Sequence, residues 1–250
     1  MRSVWSEIKG RVSNRLARHL ASTPLRLPDL GPMVSFTFDD APDSAAETGA
    51  PLLEAFGGRG TFYLAGSLVD QPSDHWLGIS REAILALHHG GHEIACHTYS
   101  HRRAGELDEA GLAAEIEKNR DYFNRLDPSI RLENFAYPFG FASLPRKIQL
   151  TKTFRSSRGI QPGVNRGVID LQFLHAIPLI EHDATPDDID RAFDQAVTSN
   201  GWLIFYSHDV TNRPSPFGCS PAFLRHALER AARHNMPIVT VAEALRRIGA

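Results

Sequence analysis

Short apolar runs alternate with amphipathic stretches from about residue 33 to the C-terminus, and this alternation restricts the fold more than any other feature of the chain. Residues 34–38, 60–64, 92–97, 134–138, 154–157, 174–179, 201–207 and 237–241 have the length and the β-branched or aromatic content of buried strands. Between them, residues 80–89, 108–126, 185–199 and 220–235 read as amphipathic helices, with Asp108 as a cap and Pro186 just inside a start. Such alternation predicts a parallel sheet with helical crossovers. Seven or eight units favour a single distorted α/β barrel over an open doubly wound sheet. Residues 26–250 form that barrel in this reading, residues 1–25 an amphipathic helical extension, and residues 26–32 the connector.

A barrel of this kind carries its chemistry at the C-terminal ends of its strands. Asp39, Asp40, His97, Pro138, Phe139 and His208 all fall at or just past a predicted strand end. Two carboxylates closing the apolar run 33–38 are out of place in a buried strand unless they have work to do. Adjacent side chains on an extended chain point apart, so one partner is not expected to serve both. His97 and His101 add two imidazoles at i, i+4, and His208 adds a third at another strand exit. One carboxylate, Asp40, with two imidazoles makes a three-ligand metal site with room for water. The remaining carboxylate and histidine would be a base and an acid. The donor set suits zinc, with cobalt, nickel or iron as alternatives. His88 and His92 share the i, i+4 spacing, but Gly90 and Gly91 between them should end a helix and split the pair.

The ordered segments Thr37-Phe38-Asp39-Asp40, His97-x-x-x-His101 and the late His208 resemble the polysaccharide deacetylase family, the NodB-homology carbohydrate esterases. The resemblance covers about residues 33–245 and implies a distorted barrel, usually of seven strands. It implies metal-dependent hydrolysis of acetyl groups, typically N-acetyl, on a carbohydrate. Carried over by position, Asp40, His97 and His101 would hold the metal, Asp39 would be the general base, and His208 the general acid. Pro138 and Phe139 belong to a further family segment, and the Phe139 N–H would donate to the oxyanion.

The chain departs from the family at three points. Ala136 stands where many members carry an arginine that orients the base; Arg155 and Arg158 on the next strand are candidates to replace it, Arg158 foremost. The aspartate that tunes the acid histidine has no clean match, Glu181 and Asp183 being the substitutes in range. Tyr206 stands where a leucine usually lines the acetyl pocket. Trp76 with His75, and Arg213 or Phe217, are candidates for sugar contact, against a purely structural reading of their loops.

A net charge of −2 argues against a nucleic-acid partner, and two cysteines give no disulfide framework. No stretch is apolar enough for a signal or a membrane span, so a cytoplasmic location and a small or lipid-linked acetylated sugar are expected. Val4, Trp5, Ile8, Val12, Leu16 and Leu20 recur at near-helical spacing with basic residues between. Packing on the barrel or on a second subunit is the favoured reading, with weak contact of residues 1–22 at an anionic membrane surface as the other. A hydrolase of non-sugar C–N bonds and an inactive carbohydrate-binding relative are the rival functional readings. The oligomeric state is left open.

Overall fold

The computed structural model describes residues 4–250, with residues 4–11 described by backbone alone. Val4, Trp5 and Ile8 of the N-terminal pattern therefore have side chains outside the described residues, as does all of residues 1–3. Helix α1 (Val4–His19) leads into a short strand, β1 (Pro24–Arg26). The main sheet then builds through β2 (Met33–Asp39), α2 (Ala50–Ala55), β3 (Thr61–Leu64), α3 (Arg81–His89), β4 (Glu93–Cys96), α4 (Glu109–Leu126), β5 (Asn134–Ala136), α5 (Leu144–Leu150) and β6 (Ser156–Arg158). The chain continues through β7 (Val168–Asp170), which lies outside that sheet, and then β8 (Ile177–Pro178), α6 (Pro186–Ser199), β9 (Trp202–Ser207), α7 (Pro221–Arg233) and α8 (Val241–Arg247).

Seven strands lie in the order β6-β5-β4-β3-β2-β9-β8, and every pairing in this sheet is parallel. The sheet curls into a distorted half-barrel, the α/β architecture expected from the alternation. At the β6 edge Arg158 makes one parallel bridge to Leu174, in the segment that leads to β8. The eighth expected strand, 237–241, does not form. Its pairing with β2 is limited to two bonds at Val34, whose N donates to Pro237 O (3.1 Å) and whose O accepts from Val239 N (2.9 Å). Thr240 then turns the chain by capping α8 with its side chain. The end of the expected helical extension is a strand instead, since β1 pairs antiparallel with β7. Side-chain caps set the starts of the main helices: Ser80 for α3, Asp108 for α4, a capping box of Thr185 and Asp188 for α6, and Ser220 for α7.

The parity of the strands divides the core in two. Val34, Phe36 and Phe38 of β2 pack outward with residues of the surrounding helices. Met33 and residues of alternate parity on β9, Trp202, Ile204 and Tyr206, line the interior, as do Tyr63, Ala95 and Ala136. Helix α8 plugs the bottom: Val241 N donates to Thr61 Oγ1 and Ala242 N to Glu93 Oε2, at the first residues of β3 and β4. The open end is therefore the one where the strands exit.

Candidate metal centre and active site

Asp39 closes β2 with its side chain inside the barrel, buried, and Asp40 follows it with φ 56°, in the left-handed region. That reversal of backbone direction swings the Asp40 carboxylate toward the loop after β4. His97 follows β4 directly, and its Nδ1 lies 2.9 Å from the carbonyl of Ala136. The ring must donate there, which leaves the Nε2 lone pair facing Asp40. His101 sits four residues on, in a loop rather than a helix, with φ 52°, preceded by Thr98 at φ 61°. Glu115 of α4 holds that loop by accepting from the amides of Tyr99 (3.1 Å) and Ser100 (2.8 Å) and from the Ser100 hydroxyl. Five of the eight described non-glycine residues with positive φ, namely Asp40, Ala41, Thr98, His101 and Phe139, belong to this one mouth. Strained backbone gathers where geometry is held for function.

Asp40 Oδ1 lies 3.3 Å from His101 Nε2 and 3.8 Å from His97 Nε2. One ligand atom from each of the three residues lies within 4.8 Å of the others. Burial pushes the His97 imidazole down to about 3 and that of His101 to about 4, so both rings are neutral. Burial also lifts Asp40 to about 6. Asp40 Oδ1 is buried with no hydrogen-bond partner. A buried carboxylate oxygen left unpartnered beside two neutral imidazole nitrogens is the arrangement a cation would satisfy, so the residues fit a divalent metal.

Asp39 is served separately. Arg158 on β6 is fully buried, and its Nη2 donates to Asp39 Oδ1. Burial alone would raise the Asp39 pKa, but the charge around it, that of Arg158 foremost, outweighs burial and holds the carboxylate below its usual value. The guanidinium lies against two interior tyrosines, 5.0 Å from the Tyr63 ring and 5.5 Å from that of Tyr206. Ala136 and Arg158 are register partners on β5 and β6. The small side chains of Ala95 and Ala136 belong to the same interior layer as Tyr63, and this is where a long arginine has room to cross. Arg155, the other candidate, points away to Glu133 and the C-terminal residue. Tyr206 keeps its proton, its hydroxyl pushed up to about 12 by burial.

Pro138 is buried and opens the turn that carries Phe139 at φ 59°. Gly140 N bonds to Tyr137 O and Phe141 N to Pro138 O, and neither bond uses the Phe139 N–H. A Cβ on Gly140, at φ +66°, would meet Ile160 at 2.2 Å, so the turn requires glycine there. The Phe139 ring is half exposed and packs on His101 at 4.4 Å.

His208 follows β9, and its Nδ1 lies 3.1 Å from the Phe217 carbonyl, leaving Nε2 free. Trp76 stacks on its ring at 5.7 Å and Phe217 packs beside it. His75 touches both Trp76 and Phe217. Among the described residues no carboxylate holds the His208 ring: Asp209 accepts from Ser215, Glu181 from Ser220, and Asp183 pairs with His182. The two substitutes expected from sequence, Glu181 and Asp183, thus have other partners. Glu115 and the Phe217 carbonyl were not foreseen from the sequence.

A family profile described as polysaccharide deacetylase matches residues 27–153. The chain belongs to the polysaccharide deacetylase family. The match takes in Asp39, Asp40, His97, His101 and Phe139, and ends before Arg158 and His208. A probable peptidoglycan-N-acetylglucosamine deacetylase of Arthroderma benhamiae is 26% identical over 218 residues, 85% of this chain and 44% of that protein. This family member therefore spans under half the length of that curated relative. Among solved structures, a family 4 carbohydrate esterase from Streptomyces lividans in complex with acetate superposes with a TM-score of 0.58 at 18% identity, covering 83% of this chain and 91% of the other. A family pseudoenzyme from Bacillus anthracis, BA3943, gives 0.63 at 13% identity, covering 88% and 67%. At such identities the two structures speak for the deacetylase fold alone.

Proposed function

We propose that this polysaccharide deacetylase family member is a metal-dependent hydrolase that removes acetyl groups, N-acetyl in the first instance, from a carbohydrate, with zinc as the metal. The observation that carries the reading is the division of labour between adjacent aspartates: Asp40 faces two neutral imidazoles, and Asp39 faces Arg158. Asp40, His97 and His101 would hold the cation, which when bound acidifies water and polarises an acyl oxygen.

The chain's own residues supply the remainder. Asp39, ionised and fixed by Arg158, accepts the proton of the attacking water at its carboxylate. The Phe139 N–H donates to the acetyl oxygen as negative charge gathers there. An amine leaves poorly as an anion, and His208, anchored through Nδ1, delivers a proton to it from Nε2. Tyr206 narrows the interior below the acetyl group. Trp76 and Phe217 offer apolar faces to a sugar ring on the His208 side, and Phe139 does so on the His101 side.

The test is acetate release from N-acetylated sugars by the zinc-loaded protein, with metal content measured in parallel. Turnover that requires the metal supports the reading. Bound metal with sugar affinity but no acetate release would assign the chain to a binding role instead.

A further inference from the structure

We propose that the outward face of α1 docks the protein on an anionic lipid bilayer. Among its described residues this helix is inside out. Its small and polar residues face the barrel: Ala17 and Asn14 are buried, Asn14 Oδ1 accepts from Ala142 N (3.2 Å), and Ser13 Oγ accepts from Leu144 N (3.1 Å). Its apolar residues face water, with Val12 54% exposed, Leu16 43% and Leu20 49%, at i, i+4, i+8 on one stripe. A helix that packs only on its own domain shows the reverse arrangement. The inward face is fixed, because buried Lys147 donates to the carbonyls of Ala17 and Leu20 (2.6 and 2.7 Å) and pairs with Asp170. The stripe therefore cannot be hidden by rolling the helix.

Charge selects the occupant. Arg15 and His19 are exposed beside the stripe. At the foot of the helix Arg18 and His19 continue into a cavity of about 220 Å³, lined also by Arg166, His175 and Val168. Its one carboxylate, Asp170, is taken by Lys147 and by the amides of Ser22, Thr23 and Gln172. Arg18 Nε is buried without a hydrogen-bond partner, and Val168 is 57% exposed. Apolar side chains beside a cationic hollow match a bilayer surface with phosphate headgroups. A second copy docked on the same face would bring Arg15, Arg18 and Arg166 against themselves, which like-charge repulsion opposes. No helix among the described residues is long and apolar enough to cross a membrane, and the contact proposed is with the surface.

Sedimentation of the full chain with phosphatidylglycerol-containing vesicles, against phosphatidylcholine vesicles, tests this. Binding to the anionic vesicles alone is expected, weakened by salt and reduced roughly tenfold or more by Leu16→Glu or Arg166→Glu. Both residues are exposed, and circular dichroism would verify that the variants fold. Failure to sediment, equal binding to both vesicles, or unchanged binding by both variants would overturn the proposal. So would a lipid-free dimer that Leu16→Glu dissociates, which would give the face to a second copy.

Discussion

Removing the guanidinium of Arg158 would leave Asp39 inside the barrel with its cation gone. Arg158→Met is expected to lower stability by about 3–5 kcal/mol and to raise the pKa of Asp39, measured by thermal unfolding and by a shift of the acid limb of the pH–rate profile. Because Ala136 is its register partner, the exchange Ala136→Arg with Arg158→Ala should recover part of both losses. Asp39→Asn should lower kcat by about 10²–10⁴ with metal content unchanged, whereas full activity in this variant would remove Asp39 from the chemistry. The aspartate pair was legible because carboxylates at an apolar strand exit conflict with burial unless partnered. Arg158 was legible as one of two arginines on the adjacent strand. Glu115 was not, since it sits on α4 beside Glu117 and reads as one more acid of a solvated face. The Phe217 carbonyl that orients His208 has no side-chain signature at all.

At the scale of elements, the loop from β4 to α4, which carries His101, is held by the helix behind it. Glu115→Ala would release the Tyr99 and Ser100 amides and is expected to weaken metal affinity about 10–100-fold, measured by competition with a chelator, with little change in melting temperature of the metal-free protein. Helix α1 depends on one buried lysine. Lys147→Met would leave the Ala17 and Leu20 carbonyls without their donor and Asp170 without its cation, and should expose the 20–23 segment to proteolysis before the barrel itself unfolds. Helices with a side-chain cap before an amphipathic run, α3, α4, α6 and α7, were readable from sequence. Helix α5 and the β1–β7 ribbon were not, being a few residues long and dependent on partners distant in the chain.

For the whole molecule, acid stability follows from a histidine buried without charge. His92 accepts from Gly60 N through Nδ1 and contacts Glu54 through Nε2, and burial holds its pKa below the ordinary 6.5. A folded value lower than the unfolded one means stability is fully present above pH 6.5 and is lost as the pH falls below it, by about 1.4 kcal/mol for each unit of depression. His175 acts with the same sign, as do His97 and His101 when no metal is bound, and Glu93, raised by burial, acts with the opposite one. His92→Asn, which keeps an acceptor for Gly60, should flatten the stability profile just under pH 6.5 in denaturant titrations. The barrel as a class was legible because alternation is a property of the entire chain; the loss of the eighth strand was not, because one capping threonine decided it. Neighbouring parallel strands lie only about 4.8 Å apart. A charged tip can therefore migrate one rung sideways, from the Ala136 position to Arg158, and still arrive at the same place. Recognition by letter order would discard such a chain, and recognition by where atoms end up would keep it.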